Sequence, residues 1–189
     1  MQNYELVLML DYQVQDSDRK DLLSKFEKDF KDSIIKKDDM WLQELQHDLK
    51  WKKGNNRAYL VSFHIQANNE TLDALRKSFL YSNVLVRYEL FKMSQDQVFL
   101  EFDKLQKELT DIMDARDNKR FGNRISFLSH AENSKYINWK SIIILKKYMT
   151  RFGSIKPRKY TKNLVKTQKK LRKEIIRARG LWLLEFIRN

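Results

Sequence analysis

The chain has 189 residues, enough for one domain or two small ones, and 42% of them are hydrophobic, which excludes wholesale disorder. It contains no Cys, four Gly and one Pro, so disulfides, Cys-ligated zinc and long Gly-rich phosphate loops are excluded. No apolar run approaches the roughly 18 residues that a transmembrane helix needs, so we expect no membrane partner.

The formal net charge of +13 hides two regions of opposite sign. Residues 1–115 hold 17 Lys and Arg against 21 Asp and Glu, whereas residues 116–189 hold 21 against 4. So dense a basic excess in a short segment indicates a polyanionic partner, most commonly a nucleic acid. The split predicts two modules, of which the acidic first module holds the basic second module in place.

The first module, residues 1–93, alternates strand and helix patterns. The predicted elements are, in chain order, strand Tyr4–Leu10, a helix carrying Leu22–Phe30, an irregular strand Ile34–Trp51 with a turn at Lys53–Asn56, strand Arg57–Gln66, a helix carrying Leu72–Phe79, and strand Val84–Lys92. The order βαββαβ predicts an α+β, ferredoxin-like fold, with two helices on one face of a four-stranded antiparallel sheet. We expect a partner to cover the other face of the sheet.

The same topology occurs in RNA-recognition domains, whose third strand carries a basic and aromatic signature. The corresponding segment here, Arg57–Phe63, lacks the Gly that follows the basic residue, and its aromatic spacing is one residue short. An ordinary core strand is the better interpretation. The sheet face is therefore a weak candidate for RNA binding.

Residues 94–119 form the predicted connector between the modules. Apolar residues from Phe99 to Met113 recur at spacings of 3 and 4 across the segment Ser94–Arg120, which contains no Gly or Pro. This pattern indicates an amphipathic helix rather than a flexible tether. Two roles stay open for it, packing on its own module or acting as a spacer that determines how the modules dock.

The second module, residues 120–189, begins with a basic and aromatic arm, Arg120–Ser129. An apolar helix from Trp139 to Met149 is expected to end at Gly153, and a basic turn follows at Ser154–Tyr160. We expect Thr161 to cap a last helix that runs from Lys162 to about Arg179.

This last helix has a predicted cationic face. At roughly 100° per residue, six cations lie within an arc of about 100°. Leu164, Gln168, Leu171, Ile175 and Ala178 lie on the opposite side, and Glu174 is the only acid. A merely solvated face would normally mix charges of both signs, so the pattern favours a bound anion. The six cations are Lys162, Lys166, Lys169, Lys170, Lys173 and Arg177.

Lys is a point charge suited to phosphate, and Arg adds forked contacts, so these residues are expected to hold a nucleic-acid backbone rather than to read bases. Tyr136, Phe152 and Tyr160 have two interpretations, stacking on unpaired bases or packing in the core. The residues give no preference between RNA and DNA, and only the resemblance described below favours RNA. On that basis the complete set of predicted RNA-binding residues is Arg120, Arg124, Arg151, Lys156, Arg158, Lys159, Lys162, Lys166, Lys169, Lys170, Lys173, Arg177 and Arg179.

Motifs for catalysis and metal binding are missing from the sequence. His47, His64 and His130 have no spacing that would make a metal site with Cys or paired carboxylates. There is no phosphate-binding Gly loop and no nucleophile elbow. We therefore expect no catalytic residue, no metal and no cofactor, and we predict that the protein is not an enzyme.

The first module resembles the bacterial small-subunit ribosomal protein numbered six, over residues 2–93. The resemblance rests on Tyr4–Met9, on Trp41, on Arg57–Val61 and most strongly on Phe79–Phe91. That family usually has a basic stretch and an Ala-Tyr-Pro motif after the tryptophan, and Leu42–Leu49 departs from this pattern.

The second module resembles the small-subunit ribosomal protein numbered eighteen, without a gap over residues 137–186. Some members of that family bind zinc through cysteines in the basic arm, and no metal carries over because Arg120–Ser129 has none. The matching residues are Leu145–Tyr148, Thr150, Gly153, Ile155, Pro157, Lys159, Thr161, Lys166, Gln168, Leu171, Ile175, Arg177–Arg179 and Leu181–Leu184.

In bacteria these two families pair and bind together on the platform of the small ribosomal subunit. The resemblance implies a fused heterodimer, a structural protein that binds small-subunit ribosomal RNA beside neighbouring ribosomal proteins, with intramolecular docking of its modules. It implies a cytoplasmic location on the ribosome, or an organellar ribosome. Two alternatives stay open, a free RNA-binding regulator or chaperone acting off the ribosome, and an enzyme on the ferredoxin-like domain with a basic tail.

Overall fold

The computed structural model describes residues 2–49, 54–80, 82–94, 97–117 and 126–186. The chain divides into two compact units, Met1–Phe99 and Leu100–Asn189. Among the residues described, no helix is both long and apolar enough to cross a membrane.

The first unit contains the predicted sheet with two helices. Its four strands are antiparallel in the order β2-β3-β1-β4. This order with the βαββαβ sequence of elements is the ferredoxin-like arrangement, and the predicted α+β fold class is confirmed. The elements are β1 Gln2–Asp11, α1 Asp16–Asp29, β2 Ile34–Glu44, β3 Arg57–Ala67, α2 Asn69–Phe79 and β4 Leu85–Lys92.

Strand alternation builds the core of this unit. Leu6, Leu8 and Leu10 share one face of β1 because side chains alternate along a strand, and they join a buried cluster with the two helices. Leu6 pairs with Phe63 of β3, whose ring meets the Phe26 ring of α1 edge-on at 5.0 Å. Phe63 was one of the aromatic residues tested against the RNA-recognition signature, and it is a core residue.

Strand β2 is shorter than predicted. The pattern predicted an irregular strand to Trp51, but β2 ends at Glu44. Its pairing with β3 is irregular between Asp39 and Leu42, where Trp41 has a left-handed φ of 57°. Gly54 of the predicted turn has φ 81°, whereas Lys50–Lys53 lie outside the described residues.

The second unit is helical. It contains α3 Phe102–Asp117, two short 3-10 helices at Phe127–Ser129 and Ala131–Tyr136, α4 Ile142–Lys147, α5 Arg158–Thr161 and α6 Val165–Gly180. Its buried core includes Trp139 together with Leu171 and Ile175 of α6.

The connector helix begins later than its periodicity predicted, at Phe102 rather than Ser94. The preceding residues are held by tertiary contacts instead. The Phe99 ring stacks on the His64 ring at 5.6 Å, and the Leu100 carbonyl accepts a hydrogen bond from Lys140 Nζ at 2.8 Å. These contacts hold residues 99 and 100 outside the helix.

Helix α3 packs within the second unit. Gln106 donates to the Lys140 carbonyl at 3.0 Å, and Glu108 accepts hydrogen bonds from Lys135 at 3.1 Å and Tyr136 at 3.0 Å. The hydrogen bond from Lys135, and then that from Tyr136, lowers the pKa of the Glu108 carboxyl. Packing on a module, one of the two roles left open for this helix, is therefore observed.

Candidate nucleic-acid interface

Helix α6 presents four of its seven cations on one exposed strip. Its buried residues include Leu171, Ile175 and Ala178, which face the core of the unit. At roughly 100° per residue, the exposed residues occupy an arc of about 120° on the other side. We call the four exposed cations of this arc the cationic strip: Lys166, Lys169, Arg172 and Lys173.

Two cations predicted for this surface turn inward. Arg177 is only 8% exposed, and its guanidinium donates to Glu174 Oε1 at 3.0 Å. Lys170 is half-buried, and its ammonium donates to the Ser134 carbonyl at 2.7 Å and to the Ser134 hydroxyl at 3.2 Å. Desolvation by burial lowers the pKa of Lys170, and the nearby Glu174 carboxylate partly opposes that effect. Lys170 and Arg177 therefore make contacts within the unit and do not belong to the cationic strip.

Glu174 explains why the cationic strip carries no acid. This side chain is 2% exposed and accepts a hydrogen bond from the Trp139 backbone N–H at 3.1 Å as well as the bond from Arg177. The only acid of α6 is therefore buried and paired inside the unit. The exposed cations of the helix receive no compensating charge from the helix itself.

Arg172 was missed by the sequence analysis. It lies at the far edge of the exposed arc, about 120° from Lys166 and on the side away from Lys170 and Arg177. The observed surface is rotated by about 50° from the predicted one. A sequence signal for the orientation of the helix is Glu174, because this acid can pair with Arg177 three residues later, and charged side chains are buried almost only when paired.

The helix starts three residues later than predicted, and Thr161 does not cap it. Residue Leu164 occupies the N-cap position, and its N–H donates to the Ser129 hydroxyl at 3.0 Å. Lys162 is exposed but lies before the helix, with a left-handed φ of 54° that ends α5. The Thr161 hydroxyl donates instead to Gln168 Oε1 at 3.4 Å.

The basic turn before α6 contributes further cations. Arg158 and Lys159 of this turn are exposed, and so is Arg151, which precedes the turn. Lys156 is half-buried, and its ammonium donates to the Lys147 carbonyl at 2.8 Å. The predicted residues Arg120 and Arg124 lie outside the described residues.

Arg179 has a structural position. Its Nε donates to the Glu185 carbonyl at 3.0 Å, and its Nη2 donates to the Gly153 carbonyl. Desolvation lowers the pKa of this guanidinium. Lys146 and Lys147, at the end of α4, are exposed and were not among the predicted RNA-binding residues.

The three candidate stacking residues separate into two environments. Tyr136 is 6% exposed, and its hydroxyl donates to Glu108, so it belongs to the core. Tyr160 is 75% exposed and Phe152 is 54% exposed. The Phe152 and Tyr160 side chains are therefore exposed to solvent, in a part of the second unit that is rich in cations.

The histidines do not converge on a metal site in the described part of the chain, and no group of three His, Asp or Glu side chains that could hold a metal occurs there. His64 lies in β3 and stacks on Phe99. Desolvation by burial lowers its pKa, against the opposing effect of Glu5.

The second unit has recognisable relatives. The family model for ribosomal protein S18 matches residues 133–184. The small ribosomal subunit protein bS18 of Clostridium kluyveri is 42% identical over 55 residues, which cover 29% of this chain and 66% of that protein. The bS18 protein of Clostridium botulinum is 43% identical over 56 residues, which cover 30% of this chain and 70% of that protein. The match to the first of these relatives spans just under two thirds of its length.

A solved structure is also similar. It is the crystal structure of 30S ribosomal protein S6 from Thermotoga maritima, which has 16% sequence identity and a TM-score of 0.44. The similar region covers 59% of this chain and 97% of that chain.

Proposed function

Because this chain belongs to the ribosomal protein S18 family, we propose that it is a structural, non-catalytic protein of the small ribosomal subunit whose second unit binds ribosomal RNA. The observation that carries the proposal is the cationic strip, whose four side chains are exposed on a helix that offers no exposed acid. The positive charges on this face repel one another, and a bound polyanion compensates them more fully than water does.

The RNA backbone is the proposed ligand of this strip. Lys166, Lys169 and Lys173 provide ammonium groups suited to phosphate, and Arg172 provides a guanidinium that can bind phosphate through two hydrogen bonds. The exposed Arg158, Lys159 and Lys162 extend the basic surface at the start of α6. Contacts of this type position RNA without reading its sequence.

The first unit is proposed to dock on the second and to mount it on the ribosome. Support comes from the opposite charges of the two regions, 17 Lys and Arg against 21 Asp and Glu in residues 1–115, and 21 against 4 in residues 116–189. Further support is the resemblance of residues 2–93 to the small-subunit ribosomal protein numbered six, the partner of the S18 family in bacteria. Joining partners in one chain raises their effective concentration to roughly the millimolar range when the linker spans the sites.

The proposed location is the platform of the small subunit, on a cytoplasmic or organellar ribosome beside other small-subunit proteins. Gradient sedimentation of cell extract, with the chain detected by antibody, tests this placement. We expect the chain in small-subunit and complete-ribosome fractions, and we expect it to leave the small-subunit fraction after ribonuclease treatment. If the chain is found only in light fractions and crosslinks to RNAs other than ribosomal RNA, it acts instead as a free RNA-binding regulator or chaperone.

A further inference from the structure

Two aromatic rings stand in solvent within a segment that has no acid. Residues 133–173 contain no Asp or Glu, and Phe152 and Tyr160 both lie in this range. The Arg151 guanidinium lies 4.6 Å from the centroid of the Phe152 ring, and Arg158 and Lys159 directly precede Tyr160. The surface therefore combines flat apolar faces with positive charge.

The Phe152 ring is carried by a braced turn. Gly153 N–H donates to the Thr150 carbonyl at 3.0 Å, and Thr150 N–H donates to the Ser154 carbonyl at 2.7 Å. Gly153 has φ 80°, a conformation that favours glycine, and its carbonyl accepts the hydrogen bond from Arg179 at the end of α6. The turn is thus attached to the helix that carries the cationic strip.

The Tyr160 ring is carried by α5, a single turn that Gln168 braces on both sides. Gln168 Nε2 donates to the Lys156 carbonyl at 3.0 Å, before α5. Gln168 Oε1 accepts a hydrogen bond at 3.4 Å from the hydroxyl of Thr161, the last residue of α5. It also accepts one at 2.8 Å from Nδ2 of Asn163, which follows α5. A ring held on such a support loses less conformational entropy when a ligand binds than a ring on a mobile loop.

These features match the chemistry of an unpaired nucleotide. Its base has two flat faces that stack on aromatic rings, and its phosphate requires nearby cations. A base inside a duplex is already stacked on its neighbours and does not offer its face. An apolar protein surface would bind the rings but would leave the surrounding cations without partners.

We propose that Tyr160, with Phe152 as a second platform, stacks on unpaired bases of the bound RNA. The inference rests on the proposed function, since it specifies the kind of RNA element that the second unit holds. It assigns to this segment a preference for loops, bulges or single strands over continuous duplex. Stacking tolerates every base, so it adds affinity without requiring one sequence.

The test uses the full chain and two labelled probes, read by fluorescence anisotropy. One probe is a 12-nucleotide single-stranded RNA without self-complementarity, and the other is an abasic ribose-phosphate oligomer of the same length. We expect Tyr160→Ala to weaken binding of the base-bearing RNA by about five- to 100-fold. We expect the same variant to bind the abasic oligomer within about twofold of wild type, because the phosphate contacts remain.

Two variants serve as controls. Tyr160→Phe keeps the ring and is expected to retain the wild-type Kd for the base-bearing RNA. Trp41→Ala removes an aromatic ring that is 61% exposed in the first unit, and it is expected to leave both Kd values unchanged. Circular dichroism of each variant checks that the fold is intact, and a Phe152→Ala variant is expected to show a smaller loss in the same direction as Tyr160→Ala.

The outcomes separate the stacking proposal from the proposed function. If Tyr160→Ala binds the base-bearing RNA as wild type does, while removal of the strip lysines weakens binding, RNA binding stands and stacking is wrong. An equal loss on the abasic oligomer also overturns stacking, because the ring would then contact the sugar-phosphate backbone. Failure of the wild-type chain to bind either probe contradicts both proposals.

Discussion

Helices α1 and α6 are both rich in charge, and they use it in opposite ways. Residues 16–29 hold five acids and four bases, whereas residues 165–180 hold one acid and seven bases. In α1 the charges pair, as in the exposed contact of Glu27 with Lys37 at 2.7 Å. In α6 the one acid is buried, and every exposed charge is positive. Charge density alone therefore does not identify an RNA surface. The informative quantity is the exposed charge that no exposed opposite charge on the same helix compensates.

The largest expected effect concerns the buried acid of α6. Glu174→Ala leaves Arg177 charged and without its carboxylate in a buried site, so we expect a loss of about 3–5 kcal/mol in the free energy of unfolding. The measurement is urea unfolding of the full chain followed by circular dichroism. The control is Glu27→Ala in α1, whose exposed partner is solvated and whose loss should be at most about 1 kcal/mol. Similar losses for both variants would contradict the difference drawn between the two helices.

The next effect concerns RNA affinity. Replacing Lys166, Lys169 and Lys173 of the cationic strip by Gln is expected to weaken binding to single-stranded RNA about 100-fold in 0.1 M salt. The slope of log K against log salt concentration should become shallower by about 2, because three phosphate contacts are lost.

The matched control for this triple variant is in α1. Lys20, Lys25 and Lys28 are exposed, and their replacement by Gln removes the same charge from the same chain. We expect the affinity of this second triple variant to stay within a few-fold of wild type. Equal losses in the two triple variants would mean that net charge, rather than the strip, determines RNA binding.

A smaller effect concerns pH in the first unit. Burial lowers the pKa of His64 below its ordinary value of 6.5, while the neighbouring Glu5 carboxylate opposes and Lys36 reinforces the shift. As the pH falls, His64 is therefore protonated in the unfolded chain at a higher pH than in the folded chain. His64 contributes stability above pH 6.5, and this stability is lost as the pH falls from 6.5 through the lowered pKa.

We therefore expect His64→Gln to lose less stability than wild type between pH 7 and pH 5, since the variant lacks this titration. Urea midpoints at a series of pH values measure the difference between the two proteins. Parallel midpoint curves across this range would show that His64 has the same pKa in both states.

Patterns along the chain predicted the ferredoxin-like fold, because strand alternation and helical stripes are local properties of Leu6–Leu10, Arg57–Gln66 and Leu72–Phe79. They did not predict where the connector helix begins. Phe99 fits the helical pattern, yet its ring contact with His64 and the hydrogen bond from Lys140 to the Leu100 carbonyl hold both residues outside α3. Tertiary contacts of this kind leave no signal in local periodicity.

The side of α6 that faces inward was likewise not predictable from local spacing. Helical spacing places the cations of α6 relative to one another, but it does not state which side of the helix faces inward. That direction depends on Ser134, which binds Lys170, and on Glu174, which binds Arg177. Both partners act through the folded unit, so helical spacing alone did not predict that Lys170 and Arg177 turn inward or that Arg172 is exposed.

The most direct test of the account maps the points of contact between the chain and RNA. Small subunits purified from cells that make the chain would be irradiated, digested and searched by mass spectrometry for peptides joined to RNA. We expect crosslinks in residues 158–173, which include Tyr160 and the cationic strip, and none in α1. Crosslinks confined to the first unit, with α5 and α6 unmodified in subunits that contain the chain, would contradict the proposed RNA interface.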